Sequence, residues 1–344
     1  MPLAAFFFWE PGGGCGRITA GGLGTSACSW WAMVWEASSD AVKVTESRMT
    51  NRNRHGHEPR KHHYVPEFML RPWAKRWRPN QILLRGYYWD MHARRLRYRE
   101  NGIGAFCYRL DLLTLKGRAQ NRAILESRFF QSIDEKGSAA VVAMAGRGPE
   151  GLSADERCDF ARLVLSLEWR RPATIDRLRQ EGRAQLMAGL DNDPEILEAF
   201  RAQDIAVPPS EYAEGTLGWS FEDRAVLIVQ GLVDSKEVGE RLINANWYLK
   251  RLRREHGSFV LGDRPLVRTH GLDNEAATWF VPLSPKLGFF ATQHLGALKL
   301  IKRASARTIV AKANWSSAQQ SERYVFSTDQ SCEALLSKLL KPGP

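Results

Sequence analysis

The sequence predicts an α+β fold in which a helical middle region packs with a β-rich C-terminal region and a small N-terminal β element. Three observations support this prediction. Strand-forming residues cluster between Ile82 and Tyr98. Apolar residues at helical spacing follow a helix-capping pattern at Ser153. Short runs of β-branched and aromatic residues recur after about residue 245.

The first of these regions predicts a β-hairpin. Residues 82–90 and 96–98 are rich in strand formers and flank a turn at Asp90-Met91-His92-Ala93. A helix is predicted next, over residues 119–142, because several apolar residues there could share one helical face. These residues are Ile124, Phe129, Ile133 and Val141.

The middle region contains several helix start signals. Ser153 and Glu156 form a capping-box pattern, and the apolar residues behind them recur at helical spacing until Pro172 ends or kinks the helix. Helical composition resumes at residues 174–190. Asp193 followed by proline predicts the start of another helix, and Ser220 predicts the start of a third. The last start leads into one helix that we expect to be buried over residues 225–243.

The C-terminal region predicts strands and a terminal helix at residues 332–340. The predicted strands cover residues 247–252, 259–261, 278–281, 287–292, 308–311 and 323–327.

Residues 61–340 are therefore expected to form a single domain, with a mostly helical lobe (61–244) and a β-rich lobe (245–340) as a further division. Residues 1–60 are expected to be a poorly ordered N-terminal extension. Its first part is rich in glycine and tryptophan without regular periodicity, and we expect Met49 to be the natural start of the protein.

Composition and charge restrict the classes of function. The net charge is +11, and residues 51–100 carry thirteen Lys and Arg against four Asp and Glu. Such a block predicts a partner with phosphate groups, above all nucleic acid, although a solvated basic arm and an anionic protein partner stay open. No apolar run approaches the ~20 residues of a transmembrane helix. The five cysteines form no C-x-x-C pair, which favours a reducing cytoplasm.

The most informative motif is KHHYVPEFMLR at residues 61–71. Pro66 favours extended backbone before it, and successive residues on extended backbone point to opposite sides. His62 and His63 should therefore face apart. Histidine titrates near neutral pH, so one of the two is a candidate general base or metal ligand, while the alternative is a packed ring that binds a backbone group.

This opening resembles the pattern that begins a bacterial family known as domain of unknown function 4238, with Trp73 in place of its usual phenylalanine. The resemblance extends over about residues 60–330. Further segments similar to the family are Asn121–Glu126 with a later Glu135, Arg171-Pro172, Phe259–Pro265, Pro282–Pro285, and Asn314 followed by residues 323–327. The resemblance implies which residues to examine and brings no established activity.

Four further residues are candidates for chemistry. Arg71 and Arg171 carry a planar guanidinium group that suits phosphate or another anion. Glu126 and Asp263 are candidate metal ligands, and Asp263 is also a candidate catalytic carboxylate at a strand end. Glu126 and Glu135 are nine residues apart, so on a straight helix they would face opposite sides.

A last group of motif residues is interpreted as structural. Prolines restrict the backbone, and short polar side chains at such steps usually bind backbone groups locally. The group comprises Tyr64, Pro66, Pro265, Ser284 and Asn314.

The leading functional hypothesis is a nucleic-acid-directed, metal-dependent phosphodiesterase of the nuclease type, with a divalent metal as candidate cofactor. The alternative is a non-catalytic module that binds nucleic acid or a protein, for instance in a defence or toxin–antitoxin operon. A third hypothesis is a structural or regulatory protein whose β-rich half forms an interaction surface. No P-loop, Rossmann or serine-hydrolase signature occurs in the part expected to fold.

Overall fold

The computed structural model describes residues 60–78, 81–117, 121–270 and 277–340. The expected N-terminal extension, including the proposed start at Met49, lies outside the described residues apart from Arg60.

The described chain is α+β, as predicted. Its helices are α1 (Glu67–Leu70), α2 (Gln131–Arg147), α3 (Ala154–Trp169), α4 (Pro172–Arg177), α5 (Arg183–Asp191), α6 (Pro194–Ala202), α7 (Pro209–Gly215), α8 (Phe221–Val233), α9 (Lys236–Ile243), α10 (Leu295–Arg303), α11 (Ala306–Gln320) and α12 (Glu333–Leu339). Its strands are β1 (Lys61–His63), β2 (Lys75–Arg78), β3 (Gln81–Asp90), β4 (Arg95–Asn101), β5 (Tyr108–Leu110), β6 (Asn246–Arg251), β7 (Leu261–Gly262), β8 (Val267–Arg268), β9 (Thr278–Ser284), β10 (Leu287–Thr292) and β11 (Val325–Phe326).

The strands form separate sheets. β1 pairs with β5, and β6, β10, β9 and β8 form an antiparallel four-stranded sheet in that order. A third sheet has the order β2-β3-β11-β7, with β4 paired to β3. The predicted hairpin is the β3–β4 pair, and its turn is closed by Asp90, whose Oδ1 accepts hydrogen bonds from the backbone N–H groups of His92 and Ala93. A short polar side chain thus fixes the register of two strands.

The predicted helix starts in the middle region are confirmed. Ser153 Oγ accepts from the Glu156 N–H, and the Glu156 carboxylate accepts from the Ser153 N–H, which completes the capping box. Asp193 and Ser220 accept from the first turns of α6 and α8. Pro172 ends α3 and also begins α4, because proline fits the first helical position, where no N–H is needed.

Two local predictions are wrong. Residues 308–311 form part of α11 and not a strand: Ser305 caps the helix by accepting from the Thr308 N–H, and Ile309 and Val310 lie on its buried face. The expected single helix over residues 225–243 is divided into α8 and α9. At residues 308–311, burial and capping outweigh intrinsic propensity, which is a weak determinant of structure.

One core joins the helical middle region to the β-rich region. The Trp73 indole N–H donates to the Phe259 carbonyl at 3.0 Å, across 186 residues of sequence. Fully buried side chains of this core come from widely separated elements, among them Leu84, Phe160, Val226, Phe289 and Phe326. No helix in the described part of the chain is long and apolar enough to cross a bilayer.

Candidate active site

An open cleft of about 610 Å³ lies between the N-terminal motif and the start of the long helix α2. One wall comes from β1 and α1, and the other from a π-helical turn (Leu125–Phe130) and the first turns of α2. Its lining residues are His63, Pro66, Glu67, Phe68, Glu126, Ser127, Gln131, Asp134, Glu135 and Ser138. Four of these ten side chains carry a carboxyl group, so the cleft is acidic.

The two histidines of the motif face apart, as their extended backbone predicts. His62 is fully buried, and its Nδ1 accepts a hydrogen bond of 2.8 Å from the Leu113 backbone N–H. It therefore fastens β1 to the loop after β5 and takes no part in the cleft. His63 lines the cleft, so only His63 of the predicted pair is placed to do chemistry there.

We expect His62→Ala to lower the free energy of unfolding by about 2 kcal/mol or more, because it leaves the buried Leu113 N–H without an acceptor and creates a cavity. His63→Ala is the matched control and should lower it by less than about 1 kcal/mol. Urea unfolding of both variants measures the difference. Equal losses would show that His63 is as structural as His62.

His63 is held as a neutral imidazole beside a carboxylate. Burial lowers the pKa of His63, while the nearby Glu67 carboxylate and a hydrogen bond to the Gly104 backbone oppose that effect. His63 Nε2 lies 3.5 Å from Glu67 Oε1, which is close for an ion pair but lacks hydrogen-bond geometry. Nε2 is buried, and it has no hydrogen-bond partner among the described residues. At neutral pH this atom is available to accept a proton or bind a metal ion.

Glu126 faces the same cleft from the π-helical turn. Burial raises the pKa of Glu126 to about 7, although the Arg170 cation and a hydrogen bond from the His63 backbone N–H favour its ionised form. Its Oε2 is buried and, within the described chain, has no hydrogen-bond partner. A carboxyl group whose pKa lies near neutral can both donate and accept a proton under physiological conditions.

Arg170 is a buried residue that forms an ion pair with Asp134 of the cleft lining. Only 1% of its side chain is exposed, and its guanidinium group donates to both carboxylate oxygens of Asp134 at 2.7 and 3.1 Å. The positive charge of Arg170 lowers the pKa of both Glu126 and His63. It therefore favours ionised Glu126 and neutral His63. Charge and geometry of the cleft therefore depend on a buried ion pair.

The expectation that Glu126 and Glu135 face opposite sides is wrong, because both line the cleft. That expectation assumed a straight α-helix. The chain instead forms a π-helical turn at Leu125–Phe130, and such a turn changes the angular phase between residues before and after it. π-Helical turns inside α-helices occur frequently at functional sites.

Asp263 does not join this cleft, contrary to its predicted convergence with Glu126. Its carboxylate is buried, with Oδ1 accepting from the Glu322 N–H and Oδ2 from the N–H groups of Arg323 and Tyr324. Asp263 thus fastens the end of β7 to the segment before β11. Among the described residues, no group of three or more His, Cys, Asp or Glu side chains is placed to hold a metal ion.

The two predicted anion-binding arginines also lie outside the cleft lining. Arg171 donates to the carbonyl and to the carboxylate of Glu168, at 3.0 and 2.7 Å, and belongs to an ionic network with Arg264, Arg268 and Glu322. Arg71 is exposed at the start of the 3-10 turn Arg71–Trp73. Arg170 and Arg171 are therefore consecutive in sequence but belong to two different groups of ion pairs.

The residues interpreted as structural make backbone and core contacts. Asn314 accepts from the Val260 N–H and donates to the Ser258 carbonyl, which joins α11 to the chain before β7. Ser284 accepts locally from the Lys286 N–H. The Pro66 carbonyl accepts from the first turn of α1. Tyr64 and Pro265 are largely enclosed by the protein, and burial raises the pKa of the Tyr64 hydroxyl.

Sequence reasoning did not single out two carboxyl groups of the cleft lining, Glu67 and Asp134, or the ion pair between Asp134 and Arg170. Glu67 could have been found, because it lies within the opening motif, only four residues after His63. Asp134 and Arg170 are separated by 36 residues, and their pairing leaves no signal in a single sequence.

Comparison with known proteins supports the resemblance seen in the opening motif. The family described as "Protein of unknown function (DUF4238)" matches residues 61–331. Searches of curated proteins and of solved structures found no match. The matched range includes both walls of the cleft and the Asp263 and Asn314 anchors. The chain belongs to the DUF4238 family.

Proposed function

We propose that this protein is a metal-assisted phosphodiesterase of the nuclease type, which hydrolyses nucleic acid at the acidic cleft. The observation that supports this function is that His63 and Glu126 line the same cleft. Each has a buried polar atom without a partner among the described residues, and both line one open cleft. The pKa of Glu126 is raised and that of His63 is lowered, and groups shifted in this way are frequent at catalytic sites.

The pKa values suggest how the two groups share the proton transfers. Neutral His63 takes a proton from the attacking water, whose oxygen bonds to phosphorus. Protonated Glu126 gives its proton to the leaving oxygen as the P–O bond breaks. Activity should therefore be highest between the lowered pKa of His63 and a pH of about 7, where Glu126 loses its proton.

A divalent cation fits this cleft for an electrostatic reason. Glu67 and Glu135 would repel a phosphate group unless a cation lay between them, since Glu126 is the proton donor and Asp134 is already paired with Arg170. Mg²⁺ usually keeps several waters and is held by one or two carboxylates together with substrate phosphate oxygens. It therefore does not require three protein ligands arranged in advance.

A non-catalytic nucleic-acid-binding module is the second candidate. The basic block of residues 51–100 favours it, since phosphate binding by Lys and Arg requires no catalytic group. The two candidates differ in whether the cleft residues are needed for anything beyond folding.

The test is a cleavage assay on the full chain with labelled DNA and RNA, in Mg²⁺, Mn²⁺ or Zn²⁺, across pH 5 to 9. We expect metal-dependent cleavage that falls by about 10²-fold or more in His63→Ala and in Glu126→Gln. Glu181→Gln, which changes an exposed glutamate outside the cleft, is the matched control and should keep full activity.

Cleavage that is equal in all four proteins would contradict the assignment of the cleft. Absence of cleavage from the folded wild type with every metal and substrate would favour the binding module.

A further inference from the structure

The β2–β4 surface, defined as the exposed side chains of β2, β4 and the turn between β3 and β4, carries features that the cleft does not use. All four residues of β2 are exposed, including Trp77 at 65%. On β4, Tyr98 is 47% exposed. Isolated apolar side chains on a surface are common, but here both aromatic rings lie on strongly basic strands.

The charge of this surface is one-sided. Residues 75–100 contain eight Lys and Arg against two Asp and Glu. The two acidic residues pair with basic neighbours, Asp90 with Arg97 at 3.1 Å and Glu100 with Arg85 at 2.8 Å. Five more basic residues are exposed on the same strands and turn: Lys75, Arg76, Arg78, Arg94 and Arg95. β2 and β4 both pair with β3, and their excess of cations is complementary to a polyanion.

Tyr98 is held in a position suited to stacking. The Arg85 guanidinium group lies 4.4 Å from the centroid of the Tyr98 ring, and the Tyr87 ring centroid lies at 5.8 Å. Arg85 is itself fixed by Glu100. A supported ring that stays half exposed can stack on a base without large loss of its own conformational freedom.

The two aromatic rings are spaced along the surface. Trp77 follows Arg76, which pairs with Ile82 of β3, and Tyr98 pairs with Tyr87 of the same strand. Five residues of strand separate these positions, roughly 17 Å at the usual rise per residue. That separation suits a single strand that contacts several nucleotides, since such sites span roughly 4–16 nucleotides.

The β2–β4 surface also leads to the cleft. β4 ends at Asn101, and three residues later Gly104 provides the backbone hydrogen bond to His63. Gly104 approaches Glu67 so closely that a Cβ atom there would lie 2.7 Å from Glu67 Oε1. A ligand following β4 toward its C-terminal end therefore reaches the wall of the cleft.

We propose that the β2–β4 surface binds single-stranded nucleic acid, with Trp77 and Tyr98 stacking on bases and the surrounding Lys and Arg side chains contacting phosphates. This inference rests on the proposed function, for which it names the substrate form and its route to the cleft. Single strands fit better than duplex, because their unstacked bases are accessible to aromatic rings.

The experiment measures fluorescence anisotropy of a labelled 15-nucleotide single strand, as DNA and as RNA, with the full chain in EDTA. The protein carries Glu126→Gln, so that cleavage cannot affect the reading. Trp77→Ala and Tyr98→Ala should each weaken binding about tenfold. Trp315→Ala removes another exposed tryptophan, on α11, and should leave binding unchanged. Lys75 and Arg78 pair with Leu83 and Gln81 of β3, which lie on the same face of the strand as Tyr87, the partner of Tyr98. Replacing Lys75 and Arg78 with alanine should weaken binding and reduce the dependence of log K on log salt by about 1–2.

Unchanged binding after both aromatic substitutions, in variants whose melting matches the parent, would overturn the inference. Equal or tighter binding of the parent to duplex or to anionic lipid vesicles would also overturn it. Failure of the two proposals is distinguishable. Binding that needs Trp77 and Tyr98, without cleavage by the wild type, would leave the inference standing alone. Cleavage that does not need these rings would leave only the proposed function.

Discussion

Replacing Glu126 with glutamine is expected to make the protein more stable at pH 8, by about 2–3 kcal/mol, while removing its activity. The pKa of Glu126 is raised from 4.5 to about 7 in the folded protein. Below pH ~4.5 the carboxyl is protonated in both folded and unfolded chains, so it has no effect on stability. Between pH ~4.5 and ~7 the unfolded chain releases the proton first, and above pH ~7 the full destabilisation is present.

The size of this effect follows from the shift. Each pKa unit corresponds to ~1.4 kcal/mol, and water at the cleft mouth reduces the total. Glutamine stays neutral at every pH and can still accept the hydrogen bond from the His63 backbone N–H. The stability gain should therefore shrink toward zero at pH 4.5.

Urea unfolding at pH 4.5, 6 and 8 measures the effect. Glu135→Gln is the matched control, because Glu135 is exposed on the same cleft wall, and it should change stability by less than about 0.5 kcal/mol. If Glu126→Gln is destabilising at pH 8, the carboxyl is a structural group and the catalytic assignment loses its support. A residue that lowers stability while it supports activity is typical of an active site.

Arg170→Ala is expected to lower the free energy of unfolding by about 3 kcal/mol. The substitution removes a buried side chain and leaves the Asp134 carboxylate without its bidentate partner. Breaking a buried ion pair typically costs about 3–5 kcal/mol, and partial exposure of Asp134 places this one at the lower end.

The comparison variant is Arg162→Ala on helix α3, which ends immediately before Arg170. Arg162 also forms a bidentate pair, with Asp234 at 2.6 and 3.0 Å, but both partners are substantially exposed. Exposed pairs contribute about 0–1 kcal/mol, so this variant should lose no more than that. Equal losses in urea unfolding would show that burial of Arg170 does not strengthen its pair.

Arg170→Ala should also move the pH dependence of activity upward. Arg170 lowers the pKa of both His63 and Glu126, so its removal lets both pKa values rise. Both limbs of the pH profile are then expected to shift to higher pH in any variant preparation that remains folded. A pH profile unchanged from that of the wild type would show that Arg170 does not affect the pKa values of His63 and Glu126.

The sequence by itself determined the features that depend on neighbouring residues. The capping box at Ser153, the helix start at Asp193 and the Asp90 turn follow from hydrogen bonds within two or three residues. The alternation of His62 and His63 follows from extended backbone at one strand. The opening motif at residues 61–71 also indicated the family, which matches residues 61–331.

Only the tertiary structure decided which of the suspected residues share a site. Asp263 was separated from Glu126 because three backbone N–H groups of residues 322–324 surround its carboxylate, and nothing near it in sequence specifies that contact. Residues 308–311 became helical because one face could be buried on the core.

The cleft itself depends on packing between distant segments. His63, Glu126 and Arg170 come from three segments separated by dozens of residues. The lowered pKa of His63 and the raised pKa of Glu126 arise mainly from burial, and the Arg170 cation acts on both. The sequence specifies the residue types and their local geometry. Burial of side chains and contacts between residues distant in sequence depend on the tertiary structure. For this reason His63 and Glu126 could be named as candidates from the sequence, whereas the pairing of Arg170 with Asp134 beside them could not.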